Sequence, residues 1–192
     1  MSEAPQTNQL PKPLPSLETQ PKEIALAFQK EEIDRIISRL ADQINLDYKR
    51  KDVLIVGILK GCLPFMADLL KKITVPCEVE FVRLSSYGGD LESKGTITVI
   101  KDIGVDIKNR HILIAEEIID TGRTLKFLCN RLKASNPASL KIVTLFDKHS
   151  KRVVEMEAEY VGQVVDDYFL IGYGLDLAET CRNLPDVYYL KF

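Results

Sequence analysis

A basic excess is the first thing this sequence lacks. Lys and Arg total 26 against 28 Asp and Glu, a formal net charge of -2 over 192 residues. With no surplus of cations to neutralise a phosphate backbone, bulk electrostatics disfavours nucleic acid as a partner. Long apolar runs are lacking as well. Val53–Leu59, the longest, is about 7 residues including Gly57, where a membrane-spanning helix needs roughly 20. The expectation is a soluble chain with no membrane partner. Cysteine is sparse: Cys62, Cys77, Cys129 and Cys181 lie far apart with no C-x-x-C pair, and no secretory signal suggests an oxidising compartment, so they read as reduced thiols in a cytoplasmic protein. His111 and His149 make no metal-ligand spacing with any cysteine, which disfavours structural zinc and leaves oxygen ligands for any metal. There is no G-x-x-x-x-G-K-[ST] phosphate loop and no G-x-S-x-G nucleophile elbow, so neither a Walker-type hydrolase nor an α/β-hydrolase is supported.

What is present is enough for one substantial core. The chain is 45% hydrophobic and 28% charged, values of a globular domain. Met1 to Lys22 holds Pro5, Pro11, Pro13, Pro15 and Pro21 with hardly a large apolar residue, and reads as a disordered, polyproline-like tail. Residues 23–192 are then a single domain.

Within that domain the periodicity alternates. From Gln29 to Asn45, Ile33, Ile36, Ile37, Leu40 and Ile44 recur at helical offsets. Val53–Leu59 is a continuous β-branched run of the kind that fills a buried parallel strand. A helix is expected from about Pro64 to Lys72, strands over Glu78–Leu84, His111–Ala115 and Leu140–Phe146, and a helix over Arg123–Ala134. Strands alternating with helices predict an α/β fold with a mostly parallel central sheet. Ser85 to Gly95 combines three glycines with polar residues and shows neither period, and is expected to be a long functional loop.

The most informative stretch is Ile112-Leu113-Ile114-Ala115-Glu116-Glu117-Ile118-Ile119-Asp120-Thr121-Gly122-Arg123-Thr124-Leu125. A buried strand runs into two carboxylates and then a Thr-Gly-x-Thr turn ahead of a helix. Ligands of an α/β sheet bind outside the carboxyl ends of the strands, which places Glu116, Glu117 and Asp120 at that edge. The turn from Asp120 to Thr124 offers backbone N–H groups, two hydroxyls and a helix N-terminus, a set suited to phosphate. Gly122 permits close backbone approach. The acids repel a bare phosphate, so they suit sugar hydroxyls or a divalent cation, and the joined pattern points to a ribose 5-phosphate. Two acids alone would read as a solvated strand end, with Asp120 and Thr121 capping the helix, and only the joined pattern outweighs that reading.

This stretch resembles the phosphoribosyl-diphosphate motif of type I phosphoribosyltransferases. From about Glu31 to Phe192 the chain is similar to the hypoxanthine-guanine phosphoribosyltransferases. The resemblance rests further on Leu59-Lys60-Gly61, Ser85-Ser86-Tyr87-Gly88, Phe146-Asp147-Lys148 and Phe169-Leu170-Ile171-Gly172-Tyr173-Gly174-Leu175-Asp176. It implies a parallel sheet flanked by helices, with a small hood and a mobile loop. It implies that Asp120, Thr121, Gly122, Arg123 and Thr124 hold the 5-phosphate, that Glu116 and Glu117 face the ribose hydroxyls, and that Asp120 is the general base near the purine N7. Lys60, Gly61 and Arg182 would contact pyrophosphate, the peptide before Lys60 is often cis, and Ser86 and Tyr87 would close over the reacting centre. Lys148 would donate to the purine 6-oxo group, Phe169 would stack on the ring, and Leu170 would present its backbone to the ring edge. Asp176, grouped with the purine contacts, would also bind Mg²⁺ along with Glu116 and Glu117.

The resemblance departs in two places. Glu117 stands where the family has Asp, and Tyr160–Asp167, with no proline, departs from the family's usual pattern of an aromatic or acidic residue and a proline before the base-binding stretch. Gly172-x-Gly174 is not a dinucleotide fingerprint, because Leu177 replaces the third glycine. The activity implied is transfer of the 5-phosphoribosyl group from phosphoribosyl diphosphate to hypoxanthine or guanine, in a homodimer or homotetramer. The competing reading is a nucleotide-sensing regulator of the same fold, and a weaker one is an enzyme acting on a pyrimidine or on xanthine.

Overall fold

The computed structural model describes residues 21–87 and 96–192. The proline-rich segment up to residue 20 and the loop segment 88–95 lie outside the described residues. Among the described residues, nine strands, three helices and one short 3-10 turn follow in chain order: β1 Glu23–Phe28, α1 Lys30–Asp47, β2 Val53–Leu59, α2 Leu63–Leu70, β3 Cys77–Tyr87, β4 Thr96–Lys101, β5 His111–Ile119, α3 Arg123–Lys133, β6 Ser139–Asp147, the turn His149–Lys151, β7 Tyr160–Val164, β8 Phe169–Ile171 and β9 Val187–Lys191.

Six strands form the central sheet in the order β4-β3-β2-β5-β6-β7. All neighbours are parallel except β3 and β4. The middle strands are largely apolar because helices cover both faces. On one face Ile33, Ile37, Leu40 and Ile44 of α1 and Phe65, Met66 and Leu69 of α2 bury against Ile55, Leu113 and Ala115. On the other, Leu125, Leu128 and Leu132 of α3 bury against Leu54, Val56, Ile112 and Ile114. The alternation of Ile112 and Ile114 with Leu113 and Ala115 between the two cores is the two-residue period of a strand.

A second sheet, β1-β9-β8, is antiparallel. It closes a smaller core of Ile171, Leu177, Leu184, Tyr188 and Leu190, the hood that the family resemblance implies. Among the described residues no helix is long and apolar enough to cross a membrane.

Two sequence expectations change. Ser85, Ser86 and Tyr87 do not begin a loop. They continue β3, in register with Thr98, Ile97 and Thr96 of β4, because an antiparallel partner supplies the backbone bonds that their weak apolar pattern does not advertise. Strand β5 likewise runs on to Ile119, so Glu116 and Glu117 sit inside a strand rather than beyond it, held by pairing with β6.

Candidate active site

The phosphate-type turn forms where β5 ends. Gly122 is the N-cap of α3, in the left-handed region at φ 80°, and caps nothing with a side chain. The backbone sign favours glycine, and a Cβ there would also push on Met156 Sδ at 2.8 Å and Arg152 Cδ at 3.0 Å. Thr121 Oγ1 makes only a long contact with the Arg123 N–H, 3.5 Å. The helix N-terminus is therefore left with donors to offer. Glu116, Ile118, Asp120, Thr121, Gly122 and Thr124 line a cavity of about 160 Å³, with Asp120 exposed; Arg123, the next residue of the turn, is exposed and does not line it.

The two acids stay together at the end of the strand, their carboxyls close enough to hydrogen-bond each other; Glu116 lines the phosphate-turn cavity, and the Glu117 carboxyl lies against Gly61, where a Cβ would come within 1.7 Å of Oε1. Each acid keeps one buried oxygen, Oε2, without a hydrogen-bond partner. Burial, then repulsion from Glu117, pushes the Glu116 carboxyl well above the usual carboxylate range. Burial also raises Glu117, against the opposing pull of its own backbone N–H and of Arg182. Orphaned hard-oxygen donors of this sort suit a divalent cation. Asp176, the third candidate ligand, is engaged elsewhere: Oδ1 pairs with Arg182 at 2.9 Å and Oδ2 accepts the Glu179 N–H at 2.9 Å. Among the described residues no three acidic, His or Cys side chains gather into a metal cluster. A cation held at Glu116 and Glu117 would thus draw its remaining ligands from water and phosphate oxygens.

Lys60 and Gly61 follow β2 through a cis Leu59–Lys60 peptide. Gly61 O faces Gly174, close enough that a Cβ at 174 would approach it to 2.0 Å. This backbone-to-backbone packing brings the Lys60 loop against the loop carrying Asp176 and Arg182. That second loop is built from two tight turns in tandem. Gly172 and Leu175 exchange both backbone bonds at 3.0 Å around Tyr173 and Gly174, and Leu177 and Thr180 do so at 3.0–3.1 Å around Ala178 and Glu179. All four central residues have positive φ, the signature of type I′ turns. Arg182 Nη1 donates to Gly174 O at 2.8 Å, Tyr173 OH donates to Asp68 Oδ2 of α2 at 2.6 Å, and Lys60 Nζ pairs with Glu179 Oε2 at 2.6 Å.

Lys148 follows β6 and is 7% exposed. Its backbone N–H donates to Ile119 O at 2.9 Å, and Ile119 pairs in register with Asp147. Lys148 and Asp120 therefore leave neighbouring strands at the same level, and among the described residues the Lys148 ammonium has no hydrogen-bonded partner. Phe169 opens β8 at 43% exposure, edge-on to Phe192 at 6.0 Å. Leu170 is buried, on the edge strand of the hood sheet. Ser86 and Tyr87 are placed here by their backbone alone, at the end of β3.

Sequence reasoning missed Arg152 and Glu179. Arg152 donates to Asp120 O at 3.1 Å and pairs with Asp147, both side chains only 9% exposed. Val153 N–H donates to Thr121 O at 3.1 Å, so the segment after Lys148 clamps the phosphate turn. No motif announces either residue, since the contacts that bring them to the site, Arg152 to Asp120 and Glu179 to Lys60, span 32 and 119 positions.

With this geometry in place, comparison with known proteins becomes specific. Residues 28–178 match the family profile described as a phosphoribosyl transferase domain. The chain is 44% identical over 166 residues to a hypoxanthine-guanine phosphoribosyltransferase of Streptococcus pyogenes, covering 86% of this chain and 92% of that one. It is 45% identical over 164 residues to the enzyme of the same name from Streptococcus mutans, covering 85% and 91%. A crystal structure of a hypoxanthine phosphoribosyltransferase from Staphylococcus aureus superposes with a TM-score of 0.84 at 43% identity, over 90% of this chain and 92% of that one. Motif, fold and relatives agree, and the chain belongs to the hypoxanthine-guanine phosphoribosyltransferase family.

Proposed function

We propose that this protein transfers the 5-phosphoribosyl group from phosphoribosyl diphosphate to hypoxanthine or guanine, forming the nucleoside monophosphate and pyrophosphate. The observation that carries the reading is the placement of Lys148 beside Asp120, fixed by the Lys148 N–H bond to Ile119 O at 2.9 Å. The Lys148 stem is buried, and a purine 6-oxo group would accept from its ammonium. Adenine presents a donor at that position and would leave the ammonium unpaired, the kind of mismatch that discriminates strongly.

The remaining roles follow from charge. The turn from Asp120 to Thr124, Arg123 included, holds the 5-phosphate. Glu116 and Glu117 accept from ribose hydroxyls, and Phe169 and Leu170 receive the purine. As the bond from C1 to pyrophosphate lengthens, negative charge grows on the leaving group, where Lys60, the Gly61 backbone and Arg182 stabilise it. The purine N9 attacks C1 while Asp120 takes the N7 proton, so the product base is not left cationic. Glu116 and Glu117 would hold Mg²⁺, with Asp176 joining them only on release from Arg182, and the ion would supply further neutralisation of the diphosphate. Ser86 and Tyr87, at the end of β3, would close over the reacting centre and exclude water. The enzyme acts in the cytoplasm as a homodimer or homotetramer on this reading.

Incubating the protein with Mg²⁺ and phosphoribosyl diphosphate plus each of hypoxanthine, guanine, xanthine, adenine and uracil tests it. Nucleotide from hypoxanthine or guanine and none from adenine is expected. Absence of product with every base, while nucleotides still bind, would replace the enzyme with a sensor of the same fold.

A further inference from the structure

Lys60 Nζ donates to Glu179 Oε2 at 2.6 Å, and Arg182 Nη2 lies 3.5 Å from the same oxygen. One carboxylate oxygen thus sits between the two cations assigned above to the diphosphate. The backbone makes this more than a chance surface pair. Glu179 occupies the second central position of a type I′ turn at φ 67°, directly after Ala178 at φ 48°. Such positions favour Gly, Asn or Asp, because a side chain in the left-handed region crowds its own carbonyl. A glutamate here is retained against local preference. The turn that carries it is held at both ends, by the Leu177–Thr180 bonds at 3.0–3.1 Å and by the Glu179 N–H to Asp176 Oδ2 bond at 2.9 Å. The glutamate is therefore delivered to the two cations by a fixed loop.

Its neighbours explain what that delivery does. Arg182 is already anchored on Gly174 O and Asp176 Oδ1, so it does not need Glu179 to be oriented. Among the described residues Lys60 pairs with no other acid. A diphosphate arriving at both cations would meet the Glu179 carboxylate at contact distance, with like charge, and the two cannot share the site. Both partners are exposed, Lys60 at 48% and Glu179 at 65% of their side chains, so the pair is weak enough to be displaced by a ligand carrying several charges.

We propose that Glu179 is an internal competitor for the diphosphate-binding cations. It neutralises Lys60 and Arg182 while the site is free, swings out when the diphosphate of the substrate binds, and returns as pyrophosphate leaves. The residue thereby sets diphosphate affinity and favours product release. The inference rests on the function proposed above, which makes Lys60 and Arg182 diphosphate contacts.

Calorimetric titration of pyrophosphate, with Mg²⁺ present, into the wild-type protein and into Glu179→Gln and Glu179→Gly tests it. Glutamine keeps the size and the strained backbone but removes the charge, and glycine removes the charge and relaxes the turn. Both variants are expected to bind pyrophosphate about two- to fivefold more tightly, the scale of an exposed ion pair. Ribose 5-phosphate, read by the separate Asp120–Thr124 turn, should bind all three proteins alike, and inhibition by pyrophosphate should strengthen in both variants. Unchanged or weaker pyrophosphate binding by Glu179→Gln overturns the inference, and so does tightening seen with glycine alone, which would assign the effect to the turn. In those cases the enzyme reading stands. Failure of the wild type to bind pyrophosphate, together with failure to form any nucleotide, removes both.

Discussion

The carboxyl of Glu117 occupies the space that a side chain at residue 61 would need: a Cβ built on Gly61 falls 1.7 Å from Glu117 Oε1 and 2.3 Å from its Cδ. The acid of strand β5 and the loop after β2 thus touch through a glycine. Gly61→Ala should displace the Glu117 carboxyl and lower kcat/KM by at least about 10-fold, the cost of misplacing a positioned group by around an ångström. Adding Glu117→Asp, which withdraws the carboxyl by one methylene, should restore part of the loss. A double-mutant cycle on kcat/KM reads the coupling directly, and strict additivity would dissociate the two residues.

Asp120 is exposed at the cavity mouth, and the hydrogen bond it accepts from Arg152 is through its backbone carbonyl. Asp120→Ala should therefore fold normally. If Asp120 takes the N7 proton, turnover falls by about 10²–10⁴-fold with far less change in KM. Steady-state kinetics with hypoxanthine decides, and an unchanged kcat would remove the base from the mechanism.

Lys148→Met keeps the buried stem and removes the ammonium. Discrimination between hypoxanthine and adenine, measured as the ratio of kcat/KM values, is expected to fall by about 10²-fold or more. A ratio that stays put would transfer base selection to another group.

Helix α1 begins without a side-chain cap of its own at Gln29. Its first N–H, at Lys30, donates instead to Asp186 Oδ1 at 2.8 Å, across 156 positions of sequence. Asp186→Ala should cost about 1 kcal/mol and lower Tm by about 2–4 °C, with catalysis little altered; thermal unfolding measures the first and a standard assay the second.

Lys141 and the Tyr160 hydroxyl both hydrogen-bond Asp47, at 2.9 and 2.7 Å, and hold its carboxyl below its ordinary value of 3.8. A depressed carboxyl stabilises the fold above its unfolded pKa, and that increment is lost as pH falls through the lower folded pKa. Wild type should exceed Asp47→Asn in urea midpoint at pH 7, and the gap should shrink below pH 4. The pair is partly exposed, so the difference at pH 7 is expected to stay under about 1 kcal/mol.

Local pattern was legible wherever burial imposes a period. The stripe of Ile33, Ile37, Leu40 and Ile44 announces α1, and the run Val53–Leu59 coincides with β2, because a helix has one buried face and a central parallel strand has two. The phosphate turn was legible for a different reason: strand, acids, glycine and helix start are contiguous, so their spacing alone carries the chemistry.

What the sequence could not determine is non-local. Strand β1 pairs with β9, Glu23 opposite Lys191, and short segments of that kind become strands only when a distant edge supplies their hydrogen bonds. The Ser85–Tyr87 stretch joined β3 for the same reason. The sequence by itself determined the reaction family, through contiguous motifs whose residue types suit a phosphate, a sugar and a base. Only the tertiary structure decided that Glu117 faces Gly61 while Glu116 faces the phosphate turn, that Asp186 caps α1, that Arg152 clamps Asp120, and that Glu179 lies between Lys60 and Arg182. Each of those relationships joins residues from different elements, and strand pairing and helix packing set their distances where chain spacing does not.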